Sequence, residues 1–124
     1  MGTTATFSFK HSNGYGVQVT VKQHWDGYVS GAADMLFNCE TLEPVCCVEE
    51  FVRINPRAEV TPSHDAHGFA DYRYSIVYHG KGKADIMARR RIGGSENYEI
   101  IFQGSLGDFI DIHHAEMFEA CPTA

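Results

Sequence analysis

Residues 4–11, TATFSFKH, alternate apolar and polar positions, with Phe7 and Phe9 on one side and Thr4, Thr6 and Ser8 on the other. A period of two with β-branched and aromatic residues predicts a strand. Asn13-Gly14 supplies hairpin-turn chemistry. The alternation then resumes with Val17, Val19 and Val21 facing the core and Gln18, Thr20 and Lys22 outward, so residues 4–24 should form a hairpin. Asp26-Gly27 marks a turn and Ser30 suits an N-cap. Ala33, Leu36 and Phe37 fall at helical spacing, predicting a helix over 31–40. Pro44 suits the first position of a second helix over 44–55, whose apolar stripe is Val45, Val48, Phe51 and Val52 and which Asn55-Pro56 ends.

Residues 57–70 hold no sustained period and read as a loop. Alternation returns over 72–104 as a three-stranded meander. Tyr72, Tyr74, Ile76 and Tyr78 share one face, Ile86 and Ala88 lie opposite Met87, and Tyr98, Ile100 and Phe102 fall together. Ser105-Leu106-Gly107-Asp108 is a capping box that should begin a short helix near 105–112, with a loosely packed tail after about 112. The pattern predicts a single α+β domain over 1–124, in the order ββααβββα. Its sheet should be antiparallel and five-stranded, with two helices packed on one face and a short C-terminal helix.

Composition adds little to that picture, since 44% hydrophobic and 21% charged residues are ordinary for a globular domain. There is no run of about 18 apolar residues to span a membrane, and MGTTATFSFK lacks the basic and apolar regions of a signal peptide. Cys39, Cys46, Cys47 and Cys121 form neither a C-x-x-C motif nor a disulfide framework, and buried thiols in a reducing compartment are the simpler reading. The expected location is the cytoplasm.

Charge changes the picture more, because it is unevenly placed. The net charge is −6, made of −5 over residues 1–72, +5 over 73–95 and −6 over 96–124. The acidic total argues against direct DNA binding. The positive band is centred on Arg89-Arg90-Arg91. Along a strand Arg89 and Arg91 point to one face and Arg90 to the other, and Arg73 and Lys83 on neighbouring strands can join either. Guanidiniums interleaved with tyrosines suit phosphates or carboxylates; the plainer role is internal pairing with the acids of 96–119.

Trp25, the single tryptophan, sits between His24 and Asp26 with Tyr28 close by. It reads first as an anchor under the corner where a strand gives way to a helix, and second as a contact residue for a base or a partner's pocket. His64 and His67, with Asp65 between them, have metal-compatible spacing, and His113-His114 can add ligands. Zinc nevertheless requires three or four converging donors, so neither a metal nor another cofactor is expected. Asp65 and Asp71 beside these histidines can be drawn as acid–base groups, but no nucleophile motif supports them, so no catalytic residues are assigned. GKGKAD has no following helix and reads as a turn rather than a phosphate loop.

MGTTATFSF, HWDGYVSGAA, YRYSI and GSLGDFI together resemble a scattered family of short phage and bacterial proteins. Those proteins open with Met-Gly/Ser-Thr-x-Ala and carry a His-Trp-Asp-Gly-Tyr-Pro motif ahead of a small-residue helix. This chain departs from the motif with Val29 in place of proline. The resemblance implies a mobile-element setting and no particular reaction. Three functions follow as expectations. The first is an anti-CRISPR-like protein that blocks a host immune protein; the second, a sponge for a cyclic or ADP-ribose-like nucleotide signal; the third, a small metal-dependent enzyme. For the binding functions the expected contact residues are Trp25, Tyr28, Arg73, Arg89 and Arg91, and self-association stays open.

Overall fold

The computed structural model describes residues 3–12, 19–23, 29–37, 53, 59–61, 70–80 and 83–120. Among the described residues there are six strands: β1 (Ala5–His11), β2 (Val19–Gln23), β3 (Glu59–Thr61), β4 (Tyr72–Gly80), β5 (Lys83–Arg91) and β6 (Tyr98–Ser105). Two helices are bounded among the described residues, α1 (Val29–Phe37) and α2 (Leu106–Ala120). Together they make a small α+β domain with one mixed sheet in the order β3-β2-β1-β4-β5-β6.

The two strands of the predicted hairpin are present as β1 and β2, which pair antiparallel from Ala5↔Gln23 to Phe9↔Val19, while its turn residues 13–18 and residue 24 lie outside the described residues. The meander is present as β4, β5 and β6. Two features correct the five-stranded antiparallel expectation. Residues 59–61 form a sixth strand on the outer side of β2; three residues are too few to reveal a period. And β1 and β4 run parallel at the centre of the sheet, from Ala5↔Tyr72 to His11↔Tyr78. Alternation fixes which face a side chain takes but says nothing of a neighbour's direction. The parallel pair starts at a clasp: the Thr4 amide and hydroxyl both donate to Asp71 Oδ2, at 3.0 and 3.2 Å, and the Asp71 amide donates to Thr4 Oγ1 at 3.1 Å.

The helices also differ from expectation. α1 begins at Val29, so Ser30 lies inside its first turn rather than capping it. Of the helix expected over 44–55 only Arg53 is described, and it is helical; the other positions lie outside the described residues. The C-terminal helix starts where predicted, with the Asp108 amide donating to Ser105 Oγ at 3.1 Å. It is not short, however: its 15 residues run to Ala120 instead of ending near 112. α1 and α2 pack against each other.

Both helices cover one face of the sheet. Phe7, Phe9, Val21, Tyr74, Ile76, Ile86 and Ala88 are buried there, and Ala32, Ala33, Leu36, Leu106 and Phe109 belong to the same core. Aromatic rings form its centre: Phe7 stacks on Tyr74 at 4.9 Å, and Phe109 meets Tyr74 and Phe102 edge-on at 6.0 and 5.3 Å. Burying each such side chain contributes about 1.5–3 kcal/mol. His113, which could have added a ligand to a metal site, packs with its ring centroid 4.8 Å from Phe109 and 6.0 Å from Phe102.

The opposite face is divided. Thr6, Ser8, Thr20 and Thr61 are buried on it, so Thr20 does not face solvent as expected. Over β4, β5 and β6 the same face holds a cavity.

Candidate functional site

The half of the second face that holds the cavity is assembled by strand register. Arg73 on β4 is the direct partner of Arg89 on β5, and Ile100 on β6 completes the row. The next row runs Ser75, Met87, Gln103, and the one beyond it Lys10, Val77, Asp85. Because side chains alternate along each strand, all of these project to the side away from the helices. Lys10, Lys22, Arg73, Lys83, Arg89 and Arg91 all take this face by the same parity. Six of the chain's ten basic residues are thereby gathered on one surface.

The positive band divides by role. Arg90 points to the helix side, where its Nε and a terminal nitrogen donate to Glu99 Oε1 at 3.1 and 2.5 Å. Those hydrogen bonds and the Glu99 charge raise the Arg90 pKa further. Here the plainer expectation, internal pairing with the acids after residue 96, is met. Arg91 donates from Nε to the Ser95 carbonyl at 2.6 Å and from a terminal nitrogen to the Gly94 carbonyl at 3.2 Å. It thus braces the β5–β6 turn, whose backbone passes through Gly93 at φ +47°, a conformation that favours glycine.

Arg73 and Arg89 sit one residue pair further into the sheet. The Arg73 guanidinium carbon lies 4.0 Å from the centroid of the Tyr98 ring, a cation–π contact. The Tyr98 hydroxyl donates to the Ala70 carbonyl at 2.5 Å, which fixes the ring across the start of β4. Arg89 donates to Ser75 Oγ at 3.4 Å.

A β-bulge puts Tyr98 where Arg73 can reach it. The β5–β6 register slips between Ala88 and Arg89, so that Ala88 faces Phe102 while Arg89 faces Ile100. One extra residue, Ile101, is accommodated, and the faces exchange at that point. Tyr98 and Ile100 therefore join the arginine face, whereas Phe102 enters the helix-side core. This corrects the expectation that Tyr98, Ile100 and Phe102 fall together.

Beside Arg89 the face holds a cavity of about 560 Å³. Val77 and Met87 supply its apolar surface, and Arg89 and Ser75 stand at one end. At the other, His79 Nε2 meets Asp85 Oδ2 at 2.8 Å, with Lys10 across the floor on β1 and Gln103 on the β6 side. The volume is within the range of sites that enclose small molecules.

The structure thus brings together Arg73, Arg89 and Arg91 on one face, as the sequence allowed. Trp25 and Tyr28 lie outside the described residues, as do His64, Asp65 and His67. Ser75, Met87, Asp85, His79 and Gln103 are not singled out by the sequence, although the parity that places Arg89 on this face places the first four there too; Gln103 joins them only through the bulge. No protein-family model, curated protein or solved structure matches the chain.

Proposed function

We propose that this protein is a non-catalytic binder that sequesters a phosphate-bearing nucleotide on the arginine face of its sheet. One observation carries the reading: Arg73 and Arg89 are registered partners on one face, the first set against the Tyr98 ring and the second lining a cavity. Guanidiniums present several donors in a fixed plane and suit phosphate oxygens bidentately. The phage-type resemblance of the N-terminal and HWDGY segments gives such a sponge a purpose, removal of an immune signal from the host cytoplasm. Purified protein incubated with a nucleotide mixture, ultrafiltered and heat-denatured should release a bound nucleotide of unchanged mass. Release of a hydrolysed product would instead favour an enzyme.

The first expectation, an anti-CRISPR-like block of a host immune protein, keeps one supporting observation. β6 closes the sheet at one end with Ile100 exposed, and it contains neither Lys nor Pro to discourage pairing with another chain. Co-purification of a host protein, lost when Ile100→Lys is introduced, is the result that reading requires.

A further inference from the structure

Resting on the nucleotide-binding reading above, we infer that the ligand is a nucleotide whose base carries an amino group, held phosphate-first at Arg89 with its base edge at Asp85. The argument is the spacing of unlike chemistry along one strand. Arg89, Met87 and Asp85 alternate on β5 and so share a face. Four residues of strand at about 3.3 Å each separate the first from the last by about 13 Å, which suits an extended nucleoside diphosphate. A cation stands at one end, a polarizable thioether in the middle and a carboxylate at the other.

Each feature matches one part of such a ligand. Arg89 suits phosphate oxygens. Met87 and Val77 form an apolar surface for a planar ring, and sulfur against an aromatic ring is a favourable contact. Asp85 is an acceptor with two oxygens; His79 meets one of them, at 2.8 Å, and a carboxylate has lone pairs for more. A carboxylate repels phosphate, so its presence in a site for a bare polyphosphate would be unfavourable. It is favourable where the ligand brings N–H donors, as the amino edges of adenine and guanine do. Gln103, beside Met87, adds an amide that both donates and accepts.

The test is calorimetric titration of ADP, GDP and inorganic pyrophosphate into the wild type and into Asp85→Ala. Asp85 is exposed, so its replacement leaves the fold intact. The expected result is that ADP or GDP binds about tenfold tighter than pyrophosphate, the scale of one hydrogen bond to a charged group. Asp85→Ala should erase most of that preference, weakening the nucleotide while pyrophosphate binding stays level or strengthens. If Asp85→Ala strengthens all three probes alike, the carboxylate only repels phosphate and the base assignment is overturned, with the phosphate site standing. If none of the three binds the wild type, the nucleotide-binding reading itself falls.

Discussion

Arg73 and Arg89 face each other directly across β4 and β5, on the same side of the sheet. Like charges in opposed positions destabilise a sheet, by an amount on the scale of other cross-strand pairs. A double-mutant cycle with Arg73→Ala and Arg89→Ala should therefore give a repulsive coupling of about 0.2–1 kcal/mol at low salt. Urea unfolding measures it, and added salt should shrink it. An attractive coupling would mean that the two side chains are held as one structural unit.

Tyr98 joins that pair to the rest of the fold through two separable contacts. Tyr98→Phe removes only the hydroxyl bond to the Ala70 carbonyl and should cost about 1 kcal/mol. Tyr98→Ala also removes the ring beneath Arg73, so it should cost about 0.5–1 kcal/mol beyond that from the lost cation–π contact alone. Equal losses for the two variants would show that the ring contributes nothing.

Much of this arrangement was legible in the sequence, because a period of two assigns faces. Phe7, Tyr74 and Ile86 declared the core side, and Arg89 and Arg91 declared the other. What the pattern could not carry was a single inserted residue. Ile101 sits in an unbroken apolar run, and nothing in YEIIFQG shows which of its residues is the extra one, so Tyr98 was placed beside Phe102. The parallel β1–β4 pair was equally hidden, since its Thr4–Asp71 clasp joins residues 67 positions apart. The cavity needed both facts: β1 beside β4 brings Lys10 to it, and β5 beside β6 brings Gln103.

Ser105 offers a check on the helix that the sequence located but shortened. Its hydroxyl accepts from the Asp108 amide at the start of α2. Ser105→Ala should lower stability by about 1 kcal/mol, and Ser105→Asp should restore most of it. Chemical unfolding followed by far-ultraviolet circular dichroism measures both.

Alkaline stability should report on Tyr74. Burial, with a smaller contribution from Tyr72, pushes its phenol well above the ordinary 10.0. The folded state thus keeps this group neutral, whereas an unfolded chain ionises it above pH 10. The resulting stabilisation is complete below pH 10 and is lost as pH rises toward the folded-state pKa. Tyr74→Phe should therefore lose less stability than the wild type between pH 10 and 11.5. Parallel curves for the two proteins would show that Tyr74 titrates normally.

The claim that the arginine face binds phosphate is tested most directly by thermal unfolding with and without inorganic pyrophosphate at constant ionic strength. A ligand that binds only the folded state stabilises it by about 2.7 kcal/mol at a hundredfold excess over its dissociation constant. Such a gain raises the midpoint of a domain this size by several degrees. The account predicts that rise for the wild type and its loss in the Arg73→Ala, Arg89→Ala double variant. An equal rise in both proteins, or none in the wild type, would contradict it.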